Sequence, residues 1–314
     1  MTILKKARRK LIQIAAFGFN NPCMGNFARG KLYKGPWKQF CSPGLNCYSC
    51  PAARLSCPIG AMQAVNGSMN FRFSFYAVGF LLAVGAVFGR AVCGWVCPFG
   101  LLQELLYGAG NLIRRLLSAV KGSTGRVPAG KESTVKETEC AAGSGRLNVW
   151  KPLTYIKYII LLVFVLLLPT AATDALGMGE PAFCQYICPA GTLEAGIPLL
   201  LTHPELSRAL GELFALKAGI LAIVLIGSVL VERFFCKTLC PLGAIYAILN
   251  KISLLHLSCD QNKCVSCGQC ARVCPMDVDP VKTANAAECI RCGRCGSVCP
   301  ADALHLGFSD HRES

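Results

Sequence analysis

Apolar residues run almost unbroken from about Phe71 to Gly89, from Leu153 to Ala172 and from Leu213 to Val231, and each run is long enough, or nearly so, to cross a bilayer as a helix. A fourth run, from Leu11 to about Ala28, is interrupted by Asn20, Asn21 and Pro22 and fits a span or a re-entrant or interfacial helix. It has no small-residue cleavage site and runs straight into a cysteine-rich loop, so it is read as part of the protein and not as a leader. Between the second and third spans, Lys121 to Gly145 is rich in Gly, Ser, Thr, Lys and Glu, the composition of a flexible linker.

Composition strengthens this pattern. Only 16% of the 314 residues are charged, against about a quarter in soluble domains, and the mean hydropathy is +0.46. Lys and Arg give a sidedness. Lys5, Lys6, Arg8, Arg9 and Lys10 precede the first run, and Arg114, Arg115, Lys121 and Arg126 follow the second. The loop from about Ala171 to Leu210 has only Arg208 against four acidic residues. Both termini are therefore expected in the cytoplasm, with four spans in the cytoplasmic membrane. The segment Arg29 to Asn70 runs against this rule: it faces outward yet carries five basic residues and no acidic one. From Cys259 onward six basic residues meet seven acidic ones, so the net charge of +15 marks membrane topology and excludes a nucleic-acid-binding stripe.

The candidate chemistry lies in 21 cysteines. Cys264, Cys267, Cys270 and Cys274-Pro275, then Cys289, Cys292, Cys295 and Cys299-Pro300, are two copies of the C-x2-C-x2-C-x3-C-P run that holds paired [4Fe-4S] clusters, the fourth cysteine of each copy serving the other cluster. One set is thus Cys264, Cys267, Cys270 and Cys299, and the other Cys289, Cys292, Cys295 and Cys274. Structural zinc, which favours separated C-x2-C pairs, is the weaker alternative.

The membrane part has its own repeat: Cys57-Pro-Ile-Gly, Cys97-Pro-Phe-Gly, Cys188-Pro-Ala-Gly and Cys240-Pro-Leu-Gly. Cys93, Cys184 and Cys236 stand four residues before three of these, while Ala53 stands before the first, behind Cys50 and Cys47. Proline suits the first position of a helix, whose free N–H groups would then face the thiolates. By the parity of the spans, Cys93, Cys97, Cys236 and Cys240 share the ferredoxin side and make a further four-thiolate set. Cys184 and Cys188, with Cys41, Cys47, Cys50 and Cys57, share the other side. There, the first-half group closes a centre alone, Cys50 and Cys57 join Cys184 and Cys188, or an oxidising face favours a Cys184–Cys188 disulfide. Cys23, Cys140 and Cys259 stand alone.

No histidine lies in a span, which excludes a bis-histidine haem, and there is no Gly-rich dinucleotide fingerprint or P-loop. Lys157 and Lys217 lie near span ends and read as snorkelling side chains.

The fold class that follows is a mainly α membrane protein with about four transmembrane helices in two pseudo-repeats and a C-terminal α+β dicluster ferredoxin domain. Its parts are a first membrane half (1–120), a linker (121–148), a second half (149–257), the ferredoxin domain (258–308) and a tail (309–314). The motifs Cys93-Gly-Trp-Val-Cys97-Pro and Cys236-Lys-Thr-Leu-Cys240-Pro, joined to the double ferredoxin run, resemble the NapH/NosR-type family of polytopic membrane ferredoxins. The segment Phe40-Cys-Ser-Pro-Gly-Leu-Asn-Cys-Tyr-Ser-Cys50-Pro looks like a subgroup of it. The resemblance implies electron transfer between a quinol pool or cytoplasmic donor and a reductase partner. The expected cofactors are two [4Fe-4S] clusters in the ferredoxin domain and one or two more in the membrane part, with quinone a further candidate. Membrane lipid and redox proteins are the expected partners. A quinol dehydrogenase subunit, and a redox-sensing or metallocentre-maturation protein, are the alternatives to a transmembrane electron relay.

Overall fold

The computed structural model describes residues 2–66, 75–120, 151–171, 180–203, 205 and 211–308, so most of the expected linker, with Cys140, lies outside the described residues. The two strongest apolar runs form helices at Pro152–Ala171 and Glu212–Leu230. Only 22% and 17% of their apolar windows are buried. A core helix of a soluble domain would be covered, whereas Ile159, Leu162, Ile223 and Ile226 all point outward, as contact with lipid requires.

The other two expected spans differ. The run ending at Gly89 forms a helix of 14 residues, Phe75–Phe88, shorter than a bilayer needs, and residues 67–74 before it lie outside the described residues. The N-terminal helix is Thr2–Asn20, shifted towards the charged end, with Arg9 and Gln13 turned inward to the Gly94 carbonyl. Among the described residues, two helices and not four are long and apolar enough to cross a membrane.

The pseudo-repeat appears as helices opening on the Cys-Pro motifs: Pro58–Asn66, Pro98–Val120, Pro189–Gly191 and Pro241–Leu249. The Pro98–Val120 helix packs along Glu212–Leu230, and Pro241–Leu249 rests on Phe75–Phe88 and Lys151–Ile160.

In the ferredoxin domain, His256–Cys259 pairs antiparallel with Leu304–Gly307 and closes the two cysteine loops between them. The loops repeat at 25 residues down to the backbone. Ser266 and Arg291, Gly268 and Gly293, and Asp277 and Asp302 all have positive φ. Glycine after the second cysteine of each loop supplies the left-handed turn without a Cβ penalty. Val278 and Ala303, again 25 apart, donate their N–H groups to the sulfurs of Cys274 and Cys299, each at 3.4 Å.

This domain is keyed onto the membrane part. Trp95 Nε1 donates to the Arg291 carbonyl at 2.9 Å, and Asn250 Nδ2 donates to the carbonyls of Ala286 and Cys289 at 2.8 and 3.0 Å. Gly94 lies so close that a Cβ there would meet the Ile290 carbonyl oxygen at 2.5 Å.

Candidate iron–sulfur centres

Two small cavities mark the ferredoxin loops. One is lined by Cys264, Cys267, Cys270 and Cys299, the other by Cys274, Cys289, Cys292 and Cys295. The crossed fourth cysteine thus faces the loop of the other copy. Cys259, read from sequence as a solitary thiol, lines the first cavity beside Cys264. Burial and the neighbouring thiols Cys292 and Cys289 push Cys295 up to about 12. Thiols so placed give up their protons only to a compensating metal charge.

In the membrane part, Cys93, Cys97, Cys236 and Cys240 come together as buried, mutually interacting thiols, each at most 7% exposed. Burial, then Cys236 and Cys93, push Cys97 up to about 12. The second gathering contains Cys57, Cys184 and Cys188, but its fourth thiol is Cys47. The expected partner Cys50 instead packs with Ala52 and Ala53 and faces the Lys38 ammonium, and Cys41 sits beside Ser56. The Cys47–Cys50 turn leaves the Cys47 sulfur beside Gly191, at 3.8 Å from where a Cβ would stand, an ordinary contact distance. All described cysteines are free thiols, Cys184 and Cys188 included. Among the described residues no three Cys, His, Asp or Glu side chains close to the radius of a single metal ion.

Each Cys-Pro-x-Gly motif opens a helix on its proline, and at Cys240 the thiol also caps it. The Cys240 sulfur accepts the N–H of Gly243, three residues on, at 3.3 Å. Helix N-termini with donors aimed at sulfur fit an anionic thiolate-held cluster.

Comparison with known proteins agrees with this chemistry. Models of 4Fe-4S binding domains match residues 69–119, 158–199 and 218–258 in the membrane part, and 260–278 and 283–305 in the ferredoxin domain. The chain is 25% identical to the ferredoxin-type protein NapH of Escherichia coli, covering 59% of this chain and 47% of NapH. It is 30% identical to the uncharacterised protein MJ0750 of Methanocaldococcus jannaschii over 74% of this chain and 79% of that one. The chain belongs to the NapH/NosR-type 4Fe-4S ferredoxin family. It is 28% identical to another protein of the same archaeon, MJ0749, of which it spans 56%. No solved structure matches. Iron–sulfur electron transfer is the chemistry of this NapH/NosR-type chain.

Around the thiols, the NapH/NosR-type chain carries polar groups that the cysteine spacing alone does not reveal. Gln103, six residues after Cys97, donates to the Cys236 sulfur at 3.1 Å and accepts the Phe235 N–H at 3.0 Å. Gln63, six after Cys57, does the same for Cys184 and Phe183, at 3.4 and 2.9 Å. Arg90 and Arg233, each three residues before a cysteine and wholly buried, cross over: Arg90 donates to the Cys236 carbonyl at 3.1 Å, and Arg233 to the Cys93 carbonyl. Arg233 pairs with Glu104 and Arg90 with Glu288, both at 2.5 Å. These offsets, −3 for arginine and +6 for glutamine, are the sequence signal.

Lys157 overturns the snorkelling reading. It is fully buried and pairs with Glu288 of the ferredoxin domain, 131 residues away. Lys217 likewise turns inward, donating to the Cys184 carbonyl at 3.3 Å.

Proposed function

We propose that this protein is a membrane-embedded iron–sulfur electron conduit. In this reading Cys264, Cys267, Cys270 and Cys299 hold one [4Fe-4S] cluster and Cys289, Cys292, Cys295 and Cys274 a second, in a cytoplasmic domain. Cys93, Cys97, Cys236 and Cys240 hold a third beside it, and Cys47, Cys57, Cys184 and Cys188 a fourth that serves an extracytoplasmic or membrane-bound redox partner. Each cluster supplies one-electron exchange. The polypeptide holds the thiolates, offers N–H groups to their sulfurs and excludes water. The carrying observation is the pair of four-thiol gatherings in the membrane part, each with a glutamine donor to one of its sulfurs. The close fit of Gly94 under Ile290 and Cys292 supports continuity from the ferredoxin domain to the third set.

Iron and sulfide content with EPR of the anaerobically purified protein tests this. About sixteen irons are expected; about eight would leave only the ferredoxin pair, and about twelve only one membrane centre. Cysteine labelling should place Cys47 and Cys267 on opposite sides, and labelling from one side would sink the relay.

A cavity of about 840 Å³ favours a second reading, a quinol dehydrogenase subunit. It lies between the Pro98–Val120 helix and the ferredoxin domain, is lined by Tyr107, Leu230, Lys237 and Arg294, and reaches Cys274. Reduction of the purified protein's clusters by quinol would favour it.

A further inference from the structure

The two membrane cysteine sets, expected on opposite faces of the bilayer, meet inside the protein. The segment from Cys41 to Cys47 enters between them. Gly44 lies on Cys97, where a Cβ would meet the Cys97 Cα at 2.8 Å. Leu45, the next residue, packs in one buried cluster with Cys97 and Cys57, and three residues after Gly44 the Cys47 sulfur of the other set lies against Gly191. The three residues of chain from Gly44 to Cys47 reach at most about 11 Å, a fraction of the bilayer's hydrocarbon thickness of about 30 Å. Tyr246, wholly buried, fixes the segment by donating its hydroxyl to the Pro43 carbonyl at 2.9 Å. Cys93 and Cys97 of one set, and Cys57 of the other, are within electrostatic reach of that hydroxyl.

Asn46 supplies an independent observation. Its side chain is 0% exposed, and neither Oδ1 nor Nδ2 has a hydrogen-bond partner. Burying an amide without a partner is unfavourable and calls for one outside the polypeptide. It sits in the chain between Leu45, which packs with Cys57 and Cys97, and the thiol of Cys47.

We propose that residues 43–46 are a direct electronic bridge between the inner and outer membrane centres, and that the Asn46 amide is a hydrogen-bond donor to the outer cluster. The inference rests on the reading above that both sets hold clusters. Across the bridge one electron passes at a time: the inner centre is oxidised as the outer one is reduced, no bond is made or broken, and no quinone is needed between them. Asn46 is a positioning residue, and its amide stabilises the more negative, reduced state.

EPR of the full-length, anaerobically purified protein during stepwise reduction tests the bridge, with iron content measured on the same samples. At about sixteen irons, reduction of the outer centre should split or broaden the inner signal, or speed its relaxation. Cys57→Ser should abolish that effect while the ferredoxin signals persist. Asn46→Leu should keep its iron and move the outer midpoint potential to a more negative value. Inner and outer signals that add without interacting at full iron content would overturn the bridge, as would an unchanged potential in Asn46→Leu. The wild-type coupling decides the bridge even if Asn46→Leu fails to assemble. Iron at eight or twelve would overturn the four-centre reading itself, and the bridge with it.

Discussion

Gln103 and Glu104 are neighbours in one helix, and they have opposite parts at the proposed inner centre. Gln103 gives a hydrogen bond to the Cys236 sulfur, so Gln103→Leu removes a donor that favours the reduced state. The inner midpoint potential should fall while the outer one stays put, and Gln63→Leu should do the reverse through Cys184. Redox titration followed by EPR separates the two. Glu104 carries the charge balance: Arg9 and Arg233 both reach it, at 2.7 and 2.5 Å. Burial alone would raise its carboxyl, but Arg233 and Arg9 hold it well below the usual carboxylate range. Because the folded value lies below the unfolded one, its contribution is complete above the ordinary carboxylate pKa of about 4.3 and is lost as pH falls towards the folded value. Glu104→Gln leaves Arg233 buried without its counter-charge, which should cost about 3–5 kcal/mol at neutral pH. Its stability should also depend less on pH below about 4 than that of the wild type, as read from thermal unfolding across pH.

At the scale of elements, Gly94 decides how the ferredoxin domain seats. Gly94→Val places a branched side chain where even a Cβ would be 2.5 Å from the Ile290 carbonyl oxygen, so the domain must shift away from the Ala91–Trp95 turn. Rapid-freeze EPR should then show slower reduction of the inner centre from the ferredoxin pair, with iron content unchanged; an unaltered rate would show that this contact does not set the path. Much of this arrangement was legible in the sequence. The 25-residue cysteine repeat implies two equivalent loops, and the positive-φ pairs at 266 and 291, 268 and 293, and 277 and 302 carry that equivalence into the backbone. The Cys-Pro-x-Gly motifs give the helix starts, because the preference of proline for the first helical position is a local matter. The choice of Cys47 over Cys50 was not legible: the loop between Cys41 and Cys57 has no periodicity to fix which thiol turns inward. Nor was the meeting of the two membrane sets, since hydropathy marks where spans end and not how deeply a polar loop returns.

Across the whole molecule, positive charge that looked like topology is turned inward to the sulfur chemistry. Lys38, in the one basic segment that contradicted the sidedness rule, is buried, donates to the Ala53 carbonyl at 2.8 Å and faces Cys50, Cys47 and Cys23. Arg90 and Arg233 do the same at the inner set, and with Lys157 and Lys237 they tie to acidic residues that the sequence places far away, Glu288 at 2.5 Å from Arg90 and Asp277 at 2.5 Å from Lys237. The pairs of Arg90, Lys157 and Lys237 join the apolar half to the nearly neutral ferredoxin domain, and Glu288 is the joint on which two buried cations converge. Glu288→Gln would leave Arg90 and Lys157 without a counter-charge in a site neither can leave for water, and the polar amide cannot replace the lost carboxylate. The ferredoxin cavities do not involve Glu288, so both of their clusters should assemble and give their usual EPR intensity. Hydrogen–deuterium exchange should nevertheless rise at residues 286–292 and at the Asn250 turn that holds them, because seating and cluster assembly are separate requirements. Unchanged exchange there would place the docking energy in the neutral contacts of Trp95 and Asn250 instead, and would make the charge pairs tuners of the inner centre alone.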